Sequence, residues 1–148
     1  MKQEQYPIRS RRQADIYEFV SEGKQGRIIK RVEYRPIDES GTFFNLSFVD
    51  VDPMTDEISD TVVTNNGDSM KVLATVAATT IDFTDRHPDA LIFATGSTPA
   101  RTRLYRMGIT NHFKEIEQYF EVHGLTGEGW ELFKTGHDYE GFIIKRKQ

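Results

Sequence analysis

Residues 94–106 read ATGSTPARTRLYR, a stretch whose residue types and spacing suit the holding of an anion. Thr98 followed by Pro99 is a helix N-cap with proline at the first helical position, a pair well suited to starting a helix. The acid of a capping box belongs at residue 101, but arginine stands there, where the helix dipole disfavours a cation by roughly 0.3–1 kcal/mol. The amides of Ala100 and Arg101, with the hydroxyls of Ser97 and Thr98, are natural anion donors at such a helix start. A phosphate or carboxylate bound there would reconcile the two.

Helical geometry extends the argument. At about 100° per residue, Ala100, Leu104 and Met107 form a buried stripe, flanked by Arg101 and Arg103, with Arg106 further out. Flanking arginines lay their stems on apolar surface and present guanidinium forks at its edge. Tyr105 would add a stacking surface for a nucleotide or an RNA end. The same forks could instead be held inside the chain by Asp50, Asp52, Asp56 or Asp60. Two functions follow, a phosphate-binding module or a protein-interaction partner such as a toxin–antitoxin component.

Other chemistry lacks its residues. The segment 50–61, DVDPMTDEISDT, places Asp50, Asp52 and Asp56 near calcium-loop spacing, but Met54, Thr55 and Thr61 stand where an oxygen ligand, a glycine and an acid belong. His87, His112, His123 and His137 have no metal-ligand spacing and read as turn or surface residues. GLTGEGW (124–130) and GKQG (23–26) lack the order of nucleotide loops, and Ser97 lacks the flanks of a nucleophile elbow. No general base is placed to nominate catalysis, and no cofactor fingerprint is present.

Charge and composition narrow the class. The net charge of −4 is uneven, since residues 36–70 hold eight acids and no lysine or arginine. A net-acidic chain is a poor indiscriminate nucleic-acid binder, and pairing of basic ends with the acidic middle is expected. With no cysteine, disulfides and thiolate chemistry are excluded. No apolar run is long enough for a membrane span or a secretory signal, so a cytoplasmic, soluble protein without a membrane role is expected.

The elements that must position the corner follow from periodicity. Strands are expected at 14–20, 26–34, 42–51 and 57–64, forming a four-strand antiparallel meander in which Phe44, Leu46 and Phe48 share a face. Asp68 caps a helix over about 69–85 with a stripe of Val72, Val76, Thr80 and Phe83. A buried strand follows at 90–95, then a helix from Thr98 to Met107 stopped by Gly108. Thr110 caps a further short helix, and strands close the chain at 119–125, 129–134 and 141–147. The expected fold is a single α+β domain over 1–148, with two to three helices packed on one face of a largely antiparallel twisted sheet.

The run NNGDSMKVLATVAATTIDFTDRHPDALIFATGSTPARTRLYRMGI, with its GSTPARTRLYR segment, resembles an uncharacterised family of short bacterial single-domain proteins, a domain of unknown function. The resemblance extends from YPIRS at 6–10 to the C-terminal FIIKRK. It implies a bacterial, intracellular, stand-alone protein, and it carries over no activity and no catalytic residue.

Overall fold

The computed structural model describes residues 4–11, 15–52, 58–59, 66–96 and 98–147, with the side chains of Ile58, Ser59 and Arg101 outside the description. Much of the expected fourth strand and of the acidic segment 50–61, including Asp56 and Asp60, lies outside those residues, as does Ser97.

Alternation writes the first strands. In β2 (Ile16–Gly23), β3 (Gly26–Pro36) and β4 (Phe43–Val51), every second residue turns inward, giving Tyr17 and Phe19, then Val32 and Tyr34, then Phe44, Leu46 and Phe48. The strands pair antiparallel in sequence order, with Tyr34 opposite Leu46 and Val32 opposite Phe48. A three-residue strand β1 (Arg9–Arg11) adds to the edge of β2, and β5 (Ile58–Ser59) pairs with the end of β4.

Helix α1 (Ser69–Arg86) covers this sheet and buries Val72, Val76, Thr80 and Phe83, the expected stripe. Its β-branched residues fit because threonines close onto the preceding turn. Thr75 Oγ1 donates to the Lys71 carbonyl at 2.7 Å and Thr84 Oγ1 to the Thr80 carbonyl at 2.8 Å. Asp68 does stand at the N-cap, but its carboxylate does not cap the helix. Asp68 Oδ2 instead accepts hydrogen bonds from Tyr6 and Ser21, each at 2.5 Å, so the side chain ties the N-terminal segment and β2 to the helix start.

From α1 the chain enters β6 (Leu91–Ala94), which pairs parallel with the start of β4. A parallel neighbour requires a crossover, and α1 supplies it. Then come α2 (Pro99–Asn111), α3 (Phe113–Tyr119), β7 (Phe120–Thr126), β8 (Gly129–Leu132) and β9 (Phe142–Arg146). The last strand inserts between β6 and β7, giving the order β1-β2-β3-β4-β6-β9-β7-β8. Among the described residues the result is an α+β fold with three helices on one face of a mostly antiparallel sheet. One core cluster joins the inward face of the strands to Val76 and Phe83 of α1 and to Tyr105 and Ile109 of α2.

The helical region departs from expectation in three ways. Helix α2 does not stop at Gly108 but runs to Asn111. A Cβ at Gly108 would stand 2.9 Å from Leu73 Cδ2, so the glycine serves the close approach of α2 to α1. The N-cap of α3 is His112, not Thr110. The buried side of α2 carries Thr102, Tyr105 and Ile109, with the buried His112 just beyond its end, while Ala100 and Met107 are exposed. The large ring and branched chain remove more apolar surface from water than Ala100 and Met107 would. His112 is correspondingly buried: it sits at a turn between α2 and α3, as expected, but not on the surface. Among the described residues no helix is long and apolar enough to cross a membrane.

Candidate phosphate-binding corner

Strand β6 delivers the chain to the helix start through Thr95 and Gly96. The Gly96 amide donates to Thr102 Oγ1 at 3.0 Å, and the Thr102 amide donates to the Thr98 carbonyl at 3.1 Å. The buried Thr102 hydroxyl therefore holds the incoming strand against the first helical turn. That turn contains no acid, so nothing on the helix itself neutralises its positive end.

Around this corner lies an open cleft of about 440 Å³, lined by Thr98, Arg103 and Arg106 on one side and by Asp138, Tyr139 and Glu140 on the other. Three of the six residues singled out from the sequence thus meet at one cleft. Ser97 and the side chain of Arg101 lie outside the described residues. Tyr105 turns the other way. It is 6 % exposed and belongs to the core, so its ring offers no open stacking surface.

Arg106 Nη1 forms an ion pair with Asp138. Asp50, one of the acids expected to hold the arginines, pairs instead with Lys30 at 2.6 Å across β3 and β4. Among the described residues Arg103 is exposed and has no carboxylate partner. The far wall is firm because Tyr139 is anchored. Its hydroxyl donates to Glu131 Oε2 at 2.9 Å and accepts from the Lys134 amide at 3.0 Å, and burial foremost raises its pKa. The ring lies where a Cβ on Gly124 would approach within 2.3 Å, so β7 must carry glycine there.

Residues 138–140 had no local signal, whereas Thr102 had one. Thr102 was one helical turn from the cap, a spacing that suits a threonine hydroxyl bonding back to residue 98. Residues 138–140 reach α2 through the pairing of β9 with both β6 and β7, a long-range consequence of sheet order. Among the described residues no group of three or more histidines and acids is placed to hold a metal ion.

Residues 2–147 match the model of a family described as Family of unknown function (DUF6934). No curated protein and no solved structure matches the chain.

Proposed function

The chain belongs to that family of unknown function, and from this premise we propose that it is a non-catalytic binding module whose β6–α2 corner takes a phosphate-bearing ligand, a nucleotide or an RNA end. The observation that carries the reading is the convergence of Arg103, Arg106 and an acid-free helix start on one open cleft. Phosphate suits that set, since planar guanidinium forks donate two hydrogen bonds each and the amides of Ala100 and Arg101 face the same anion. The pair between Arg106 and Asp138 does not preclude this. Asp138 is 93 % exposed, and an ion pair so open to water contributes at most about 1 kcal/mol, which a phosphate dianion displaces readily.

The same pair supports a second reading. If Arg106 is occupied for structural reasons, the protein is an interaction or regulatory partner, for example a toxin–antitoxin component, and the cleft is a by-product of loop packing.

Thermal shift and titration at low salt distinguish the two, using inorganic phosphate, ATP, coenzyme A and a 5′-phosphorylated short RNA. The first reading predicts that a phosphate-bearing probe stabilises the wild type, that the effect falls steeply with salt, and that Arg103→Ala/Arg106→Ala abolishes it. The second predicts no shift with any probe and a lower melting temperature for the double variant alone.

A further inference from the structure

The corner cleft has a second wall, and its charge is of the opposite sign. Arg103 and Arg106 of α2 line one side, and Asp138 and Glu140 flank Tyr139 on the other. Asp138 is paired with Arg106, whereas among the described residues neither Glu140 nor Arg103 has an ion-pair partner. Each wall therefore carries one paired charge and one unpaired charge. The acidic wall is held by the backbone. The Glu140 amide donates to the Leu125 carbonyl at 2.8 Å, and the Gly141 carbonyl accepts from the Leu125 amide at 2.9 Å. Both acidic residues are exposed, so their carboxylates are open to a ligand in the cleft.

A phosphate that draws Arg106 to itself leaves Asp138 without its cation. Ionised carboxylates only accept hydrogen bonds. The part of the ligand that settles beside Asp138 and Glu140 must therefore donate hydrogen bonds and carry no negative charge. This inference rests on the nucleotide reading of the corner given above, and a nucleotide has such a part. The 2′ and 3′ hydroxyls of its ribose are adjacent donors.

We propose that Asp138 and Glu140 hold the ribose diol of a nucleoside 5′-monophosphate whose phosphate lies on Arg103 and Arg106. The size of the cleft agrees. A cavity of roughly 150 Å³ holds benzene, so the cleft of about 440 Å³ seats a phosphate and a pentose, with the base extending from its open side. The tyrosines at the corner, Tyr105 and Tyr139, are buried and offer the base no face to stack on. A 5′-phosphorylated RNA fits less well. Its first 3′ oxygen carries the next phosphate, which would stand against the two carboxylates.

Titration calorimetry of the full-length chain at low salt tests this with inorganic phosphate, AMP, 2′-deoxy-AMP, 2′,3′-dideoxy-AMP and the 5′-phosphorylated dinucleotide pApA. Each hydroxyl lost should weaken binding by about threefold or more, the low end for one hydrogen bond. The dinucleotide should bind more weakly than AMP. Asp138→Ala/Glu140→Ala should bring AMP and its dideoxy form within about twofold of each other, and Arg103→Ala/Arg106→Ala should abolish binding of all five. Equal affinity of the wild type for AMP and its dideoxy form overturns the proposal and leaves the phosphate reading standing. So does a hydroxyl preference that survives the loss of both carboxylates. Tighter binding of pApA than of AMP also overturns it and assigns the corner to an RNA end. If no probe binds, inorganic phosphate included, the phosphate reading fails and this proposal fails with it.

Discussion

Arg106 and Asp138 are joined in an ion pair between the middle of α2 and the loop that leads into β9, across the mouth of the corner cleft. A carboxylate in that position occupies the guanidinium that an incoming anion would need. Asp138→Asn should therefore raise phosphate affinity by up to about fivefold, the equivalent of a pair worth about 1 kcal/mol. Stability should change by no more than that. Titration calorimetry with inorganic phosphate checks it, and unchanged or weaker binding would mean that Asp138 does not compete for Arg106.

The cleft depends on a packing relation deeper in the sheet. Gly124 of β7 lies under the Tyr139 ring, where a Cβ would come within 2.3 Å of Cδ1. An aromatic ring anchored at its hydroxyl by Glu131 and the Lys134 amide cannot swing aside cheaply. Gly124→Ala should cost about 1–3 kcal/mol, the usual cost of overpacking. In urea denaturation, the double variant Gly124→Ala/Tyr139→Leu should recover much of that loss, because the two sites share one contact. Additive losses would show that the strain lies elsewhere.

These relations mark where sequence reading reaches its limit. Strands β2 to β4 and helix α1 were legible because alternation and a 3.6-residue stripe are local signals, and Phe44, Leu46, Phe48, Val76 and Phe83 lie inward as their spacing implies. Strand β1 was not legible, since Arg9, Ser10 and Arg11 are all exposed and join the sheet through the backbone alone. Gly108 reads locally as a helix stop, but the contact with Leu73 overrides that preference, and α2 continues for three residues beyond it. At the candidate site, the cap, the acid-free first turn and the arginines could be read from the chain. Asp138 could not, nor could the inward turn of Tyr105, because both depend on how β9 and α2 pack.

Lys30 and Asp50 provide a test of the sheet itself. They are directly opposed on the helix-facing side of β3 and β4, 2.6 Å apart, with Lys30 buried. Removing the acid alone strands an ammonium group in the core. Asp50→Ala should cost about 3 kcal/mol, the lower end of the range for a broken buried pair, since Asp50 keeps some exposure. Lys30→Met/Asp50→Leu should lie within about 1 kcal/mol of the wild type, because no charge then needs a partner. Denaturant midpoints compare the three proteins, and a double variant no better than Asp50→Ala would refute this account.

Alkaline titration probes the buried hydroxyls. Burial foremost, then a hydrogen bond to Asp82, raises the pKa of Tyr17, and complete burial raises that of Tyr34. The hydroxyl of Tyr17 donates to Asp82 Oδ2 at 2.6 Å and accepts from Arg86 Nη2 at 2.7 Å. That of Tyr34 shares hydrogen bonds with Thr79 and Thr80. In the unfolded chain both would ionise near their ordinary value of about 10. The folded state therefore holds these protons more tightly. Its stabilising effect is full below pH of about 10 and is lost as pH rises further, at about 1.4 kcal/mol per pH unit for each group. Absorbance near 295 nm should show part of the tyrosine signal ionising late, together with the loss of helical circular dichroism. Tyr17→Phe should shrink that late step by one residue. A single transition of all six tyrosines near pH 10, with the fold intact, would contradict the burial of these two hydroxyls.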